Sequence, residues 1–409
     1  MPIKLLYTTH DHTLITDQSP KNNEQRMKPY LIPHVGNSVN TNSLNNFPPQ
    51  YYSGPQLKNL YSIPTVTPAT PSTKVVKIAI VVAFAYPKIL SDLKTYWQNN
   101  INFGLSSTPP KVNIYTLPGA TYNIAWAKEA CLDLQIVCTM NPNANICLVQ
   151  AKSDSVVHLM AAVTYANNNI RADIITMSWG GLEGTYIKAY NYNFLNTNVC
   201  YCASTGDSNT ASWPSTLSNC ISVGGTTLLW TPSTANPRTE YTWNNAGCGY
   251  SGYILQPDYQ KNVSNINHTY RAVPDLSLIA NPQTSFYSVF NGNWYGVGGT
   301  SLSTPIFSAI LSIANQLRFN NNKSALTTVY TTLPNPPSNN VQNYLYKTLY
   351  TNPSVYANAF YDIVSGTNMG SISGNSANTI LYNSSTNFDL PTGLGSPNAN
   401  ILCNLLLNM

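Results

Sequence analysis

The chain has 409 residues, of which 43% are hydrophobic and only 9% charged, with a formal net charge of +5. That is ample material for a core, and its scattered basic residues lack the Lys/Arg stripe that a phosphate backbone attracts, so nucleic acid is not an expected partner. No run reaches the roughly eighteen apolar residues of a membrane span, and the N-terminal MPIKLLYTTHDHTLITDQ breaks its apolar run too early for a secretory signal peptide. The compartment stays open.

Residues 1–50 are polar, rich in Asn and Pro, and without period, which predicts a flexible arm; residues 51–409 read as one domain. Residues 77–85 form a continuous apolar, β-branched run, the pattern of a strand buried on both faces. A helix is expected over 91–99, a strand over 112–117 and a helix over 123–139. Segments 146–151, 154–167, 172–179, 185–196 and 199–204 continue the alternation of strand and helix. Such alternation specifies an α/β fold, a doubly wound and mostly parallel sheet with helices on both faces. Active sites of these sheets lie beyond the carboxyl ends of the strands. Met177-Ser178-Trp179-Gly180-Gly181 and Ser204-Thr205-Gly206-Asp207-Ser208 fall at such ends. Residues 231–300 read as loops and turns, and 300–318 as a long helix. The eight cysteines include one C-x-C pair, Cys200 and Cys202, with no matching His spacing for zinc; they read as buried thiols, with pairing left open.

Three places carry candidate chemistry. Gly298-Gly299-Thr300-Ser301 delivers a serine to the first turn of an apolar helix, where the helix N-terminus favours developing negative charge. The same serine could be an ordinary cap. Glu129 and Asp133 stand four apart on one helical face among apolar neighbours. Such a pair is either a solvated surface or two carboxyls sharing a proton. Asp207, after a glycine, is either a turn former or a functional acid.

The motifs together resemble the sedolisin (serine-carboxyl peptidase) family of the subtilisin-like clan. G-T-S-x-x-x-P at Ser301 is similar to its nucleophile motif, E-x-x-L-D-x-Q at Glu129 to its acid helix, and S-T-G-D-S at Asp207 to its oxyanion loop. Gly54–Tyr61, Met177–Gly180, Ser222–Thr226 and Arg271–Ser277 also match in chain order. The resemblance covers most of 54–400. It implies a subtilisin-like fold and acid endopeptidase activity, with Ser301 as nucleophile, Glu129 as base, Asp133 orienting Glu129, and a protonated Asp207 as oxyanion donor. A histidine base has no candidate, because none of His10, His12, His34, His158 and His268 is followed by Gly-Thr. The resemblance also implies one calcium site, from Asp362, Ile363, Ser385, Asn387 and Asp389. Asn387 and Ser385 replace glycines usual in the family, and Asn209 replaces another after Asp207. The usual large prodomain is not recognisable in the polar segment before residue 51, so the activation route stays open. A catalytically silent protein that kept the fold and a peptide cleft is the second expectation.

Overall fold

A computed structural model describes residues 25–33, 51–230, 238–266, 269–330, 337–371 and 379–409. A central sheet holds β3 (Lys77–Ala83), β4 (Val112–Thr116), β5 (Asn145–Ala151), β6 (Ile174–Met177), β8 (Cys200–Ser204), β9 (Cys220–Leu229) and β10 (Thr239–Thr242). Their spatial order is β10-β9-β8-β6-β3-β5-β4, with β13 (Leu276–Ile279) also paired to β9. All pairings are parallel except β9 with β10. The run at 77–83 is buried in all but its first residue, because helices cover both faces.

The α/β expectation holds. Helices α2 (Ile89–Asn99), α3 (Ile124–Met140) and α4 (Val156–Tyr165) follow their strands as the pattern requires, after a short α1 (Gly54–Leu60). The segment 185–196 is the weakest match: only α5 (Ile187–Tyr190) is α-helical, followed by a tighter turn over Asn191–Phe194. Helix α6 (Thr300–Asn320) packs against α3 and across β6, β8 and β9. It is buried nearly throughout, which fixes its first turn relative to the strand ends.

Two readings are corrected. Residues 231–300 are not mainly loop: besides β10 and β13 they contain β11 (Gly249–Leu255), β12 (Tyr270–Val273), β14 (Phe286–Phe290) and β15 (Asn293–Gly298). These strands are short and turn-bounded, so they carry little period of their own. The arm is also not free along its whole length. Residues 25–33 are docked, with β1 (Lys28–Pro29) antiparallel to β7 (Trp179–Gly180) and β2 (Ile32–Pro33) antiparallel to β15. Met27 and Tyr30 are buried. Backbone pairing and burial of two large side chains supply here the order that composition does not. The rest of the arm lies outside the described residues. All eight cysteines are buried and unbridged. Among the described residues, no helix is long and apolar enough to cross a membrane.

Candidate active site

Glu129 and Asp133 lie on α3, whose first turn is capped by Asn123 accepting from the Ala125 and Trp126 amides. Gln135 of the same helix ties it to β14, accepting from Ser288 Oγ and Val289 N and donating to the Val289 carbonyl at 2.7 Å. That brace sets how far α3 can slide. Both acids have no exposed surface, so the solvated-surface alternative fails.

Asp133 Oδ1 accepts from Ser178 Oγ at 2.7 Å. Among the described residues, its other oxygen and both oxygens of Glu129 have no partner of good hydrogen-bond geometry. The Ser301 hydroxyl and the Asp133 carboxyl nonetheless stand close enough to act on Glu129 as loose contacts. Burial raises the Glu129 carboxyl well above the usual range, with the Asp133 and Asp207 charges adding to it. Asp133 is raised too, chiefly by burial, against the Ser178 hydrogen bond. Burial and mutual repulsion thus oppose ionisation of the two carboxyls together.

Ser301 is the second residue of α6, and its hydroxyl donates to the Ser178 carbonyl at 3.2 Å. Gly299, just before the helix, has φ 110°, a left-handed conformation natural to glycine. A Cβ there would overlap the Tyr30 carbonyl oxygen and lie 2.5 Å from Asp207 Oδ2. Asp207 caps the helix from the β8 side: its Oδ1 accepts from Thr300 N at 2.8 Å and Thr300 Oγ1 at 2.9 Å. Its Oδ2 is buried without a partner among the described residues. Burial pushes the Asp207 carboxyl up to about 7, against the Thr300 hydrogen bonds and the Lys28 charge. Asn209 holds φ 63°, which Asn tolerates better than other side chains, so the missing glycine does not alter the turn.

The structure thus brings Ser301, Glu129, Asp133 and Asp207 together where β6 and β8 end. Ser178 and Thr300 join them, and sequence reasoning gave neither this role. Ser178 links Asp133 to the Ser301 backbone, and the Ser-Trp-Gly strand end was its only signal. His158, the one histidine among the described residues, stands with Ser153 and Ser155 at the start of α4.

At the second place, Asp362 Oδ2 accepts from Asn387 N at 2.8 Å and Oδ1 from the Tyr356 hydroxyl. Asp389 Oδ2 accepts from Ser385 N, and Oδ1 from Thr392 N and Oγ1. Burial, with the Asp362 charge adding, raises Asp389 to about 7. Two adjoining carboxylates suit a hard cation, but the backbone at 385 and 387 turns N–H groups toward them.

The sequence profile of the subtilase family matches residues 124–358. Kumamolisin from Bacillus sp. (strain MN-32) is 27% identical over 66% of this chain and 49% of its own length. Sedolisin from Pseudomonas sp. (strain 101) is 29% identical over 47% of this chain and 29% of its own. The chain therefore spans half or less of the length of these relatives. The structure of a Pseudomonas sedolisin, a serine-carboxyl proteinase complexed with two molecules of pseudo-iodotyrostatin, superposes with a TM-score of 0.67 at 23% identity, over 87% of this chain and 97% of that one. The fold is shared with it, and the chain belongs to the subtilase family, in its serine-carboxyl, sedolisin branch.

Proposed function

We propose that the protein is a serine-carboxyl endopeptidase acting on polypeptides in acid. Ser301 attacks the peptide carbonyl, Glu129 takes its proton, and Asp133 orients Glu129 and holds the shared proton. Asp207, protonated, donates from Oδ2 to the oxyanion; an ionised carboxylate would repel it. One observation carries this reading: the Asp207 oxygen nearest the serine turn is buried without a donor, while Thr300 holds the other oxygen with two hydrogen bonds. A carboxyl that served only to cap the helix would not need its second oxygen buried beside Gly299.

The test is digestion of a peptide library at several pH values by the parent and by Ser301→Ala. The variant should lose on the order of 10^6 in kcat, the scale set by removing the nucleophile of a serine protease, with an unchanged melting temperature. Retained turnover in the pure variant sinks the mechanism, and an inactive parent favours the catalytically silent reading.

Calcium belongs to this proposal as a stabilising ion held by Asp362 and Asp389, with carbonyls of Ile363, Ser385 and Asn387. No catalytic step passes through it. Asn387 has φ 69°, so this turn too keeps its left-handed form without glycine.

A further inference from the structure

The nucleophile and both acids of α3 have no exposed surface. An external peptide therefore cannot reach them in this arrangement. What occupies the approach is the chain's own segment 25–33. It runs antiparallel to β7 with Lys28 opposite Gly180 and Pro29 opposite Trp179. The Tyr30 amide donates to the Ser178 carbonyl at 3.2 Å, the same carbonyl that accepts from Ser301 Oγ. The Tyr30 carbonyl oxygen lies against Gly299, where the unpartnered Asp207 Oδ2 also points. Past that carbonyl the chain continues in the other direction of the cleft, with Ile32 opposite Gly298 on β15. The segment is anchored on both sides of Tyr30, and the Tyr30 carbonyl is the one delivered to the serine turn.

The Tyr30 side chain fills a pocket shaped for it. Its ring lies between two glycines: a Cβ at Gly180 would stand 2.9 Å from the Tyr30 hydroxyl, and one at Gly206 would stand 3.3 Å from two ring carbons. Ser212 stands close enough to act on the Tyr30 hydroxyl as a loose contact. Around the segment, Arg26 pairs with Asp154 at 2.6 Å, and Met27 N donates to the Asp154 carbonyl. The prolines at 29 and 33 bias the segment's Lys28 and Ile32 toward extended backbone but do not place it. Its order comes from sheet pairing and from the buried tyrosine.

We propose that segment 25–33 is bound as this protein's first substrate and that the Tyr30–Leu31 bond is its own processing site, cut in the same molecule. The proposal rests on the reading of Ser301 as nucleophile. Ser301 Oγ adds to the Tyr30 carbonyl carbon while its proton passes to Glu129, and the oxyanion takes a hydrogen bond from Asp207. Collapse breaks the C–N bond, and the proton on Glu129 goes to the Leu31 amine. Water then adds to the Tyr30–Ser301 ester, giving its proton to Glu129. The ester breaks, Ser301 recovers the proton, and Tyr30 leaves as a free carboxyl. One water is consumed. The fragment ending at Tyr30 is then held by β7, its pocket and the Asp154 contacts, while Ile32 and Pro33 keep their pairing with β15. Until the first fragment leaves, the cleft is blocked. The same pocket makes tyrosine the preferred residue on the amino side of an external bond.

The test follows the purified full chain by intact mass and N-terminal sequencing, at the pH where the same preparation cuts a peptide library fastest. The expected product begins at Leu31. Its rate should be unchanged by about tenfold dilution, and Ser301→Ala should stay whole. Tyr30→Phe should be cut at nearly the parent rate, whereas Tyr30→Asp should slow the cut by roughly 100-fold or more, since a second carboxyl would be buried near Asp207. The Tyr30→Phe arm keeps the outcome readable should Tyr30→Asp fold poorly. A parent that cuts the library but keeps Tyr30–Leu31 intact overturns the processing site and leaves the peptidase reading standing. A cut elsewhere in the arm, or a rate that falls with dilution, overturns it equally. If neither the library nor the chain is cut, both fail together.

Discussion

Asp275 and Glu129 are both fully buried, yet the fold treats their oxygens in opposite ways. Asp275 Oδ2 accepts from Arg271 at 2.8 Å and from Ser222 N, and its Oδ1 from the Tyr346 hydroxyl. Arg271 also donates to the Tyr259 hydroxyl and to the Cys220 carbonyl. Every charge in that cluster has a counter-charge or a donor. Among the described residues Glu129 has neither a cation nor a well-formed hydrogen bond, and the charges acting on it are those of acids. Burying an acid is tolerable only when it is paired or stays protonated. The first cluster holds β9, β12 and β13 together. The second places carboxyls that resist ionisation beside a serine, an arrangement that opposes stability.

This contrast is most sharply tested at Glu129. Glu129→Gln should lower kcat by roughly 10²–10⁴-fold, the range of a lost general base. It should also raise the melting temperature at pH 8. The sign follows from linkage: a carboxyl whose protonation is raised in the folded state binds protons there that the unfolded chain releases. Stability therefore falls as pH rises above the unfolded value of about 4. Gln has no proton to lose, so the variant escapes that fall. A variant that is inactive and also less stable at pH 8 would make Glu129 a structural acid.

Asp275→Asn should do the reverse. It strands the buried Arg271 charge and should cost about 3–5 kcal/mol in chemical denaturation. Any molecules still folded should keep their pH profile, because the cluster does not touch the serine. Little loss of stability would mean that the Arg271 network rearranges around an amide, and the contrast with Glu129 would weaken.

The two clusters were unequally legible in the sequence. Glu129 and Asp133 could be placed on one face from their spacing alone, and the apolar residues around them foretold burial. Ser301 was marked by the small-residue turn before a long apolar helix. Ser178 was not, because its bridge to Asp133 depends on how β6 ends relative to α3, a tertiary register that no local pattern encodes. The docking of 25–33 was hidden for the same reason. Gln25 through Pro33 has no period and two prolines, and it forms strands only by pairing with β7 and β15, both distant in sequence. In 231–300 the strands pair across long sequence separations, so each short run looked like a loop.

Asp207 offers a smaller effect with a distinct shape. Its carboxyl is pushed up to about 7, so the donor form is lost as pH rises through neutrality, and the rate should fall there. Asp207→Asn keeps a donor that cannot ionise. Its rate in acid should drop by less than the roughly 10²–10³-fold cost of losing an oxyanion donor outright, and the alkaline limb should flatten. A parent optimum at pH 8 or above contradicts the assignment.

Calcium removal should give the smallest change, because Asp362 and Asp389 already have donors of their own. Five hydrogen bonds serve the two carboxylates, so the loop is not left with bare charge when no ion is bound. For calcium to enter, the peptide units at 385 and 387 must turn carbonyls inward, which offsets part of the binding energy. An ion at 100 times its Kd still stabilises by about 2.7 kcal/mol. Chelation with EDTA should therefore lower the melting temperature by a few degrees while kcat holds. Asn387→Gly frees the turn that Asn387 now holds at φ 69°, and so should enlarge the calcium-dependent rise. If neither chelation nor Asn387→Gly alters the response to calcium, the loop is held by its own hydrogen bonds, and Asp389 belongs with Asp275 among acids that the fold satisfies without help.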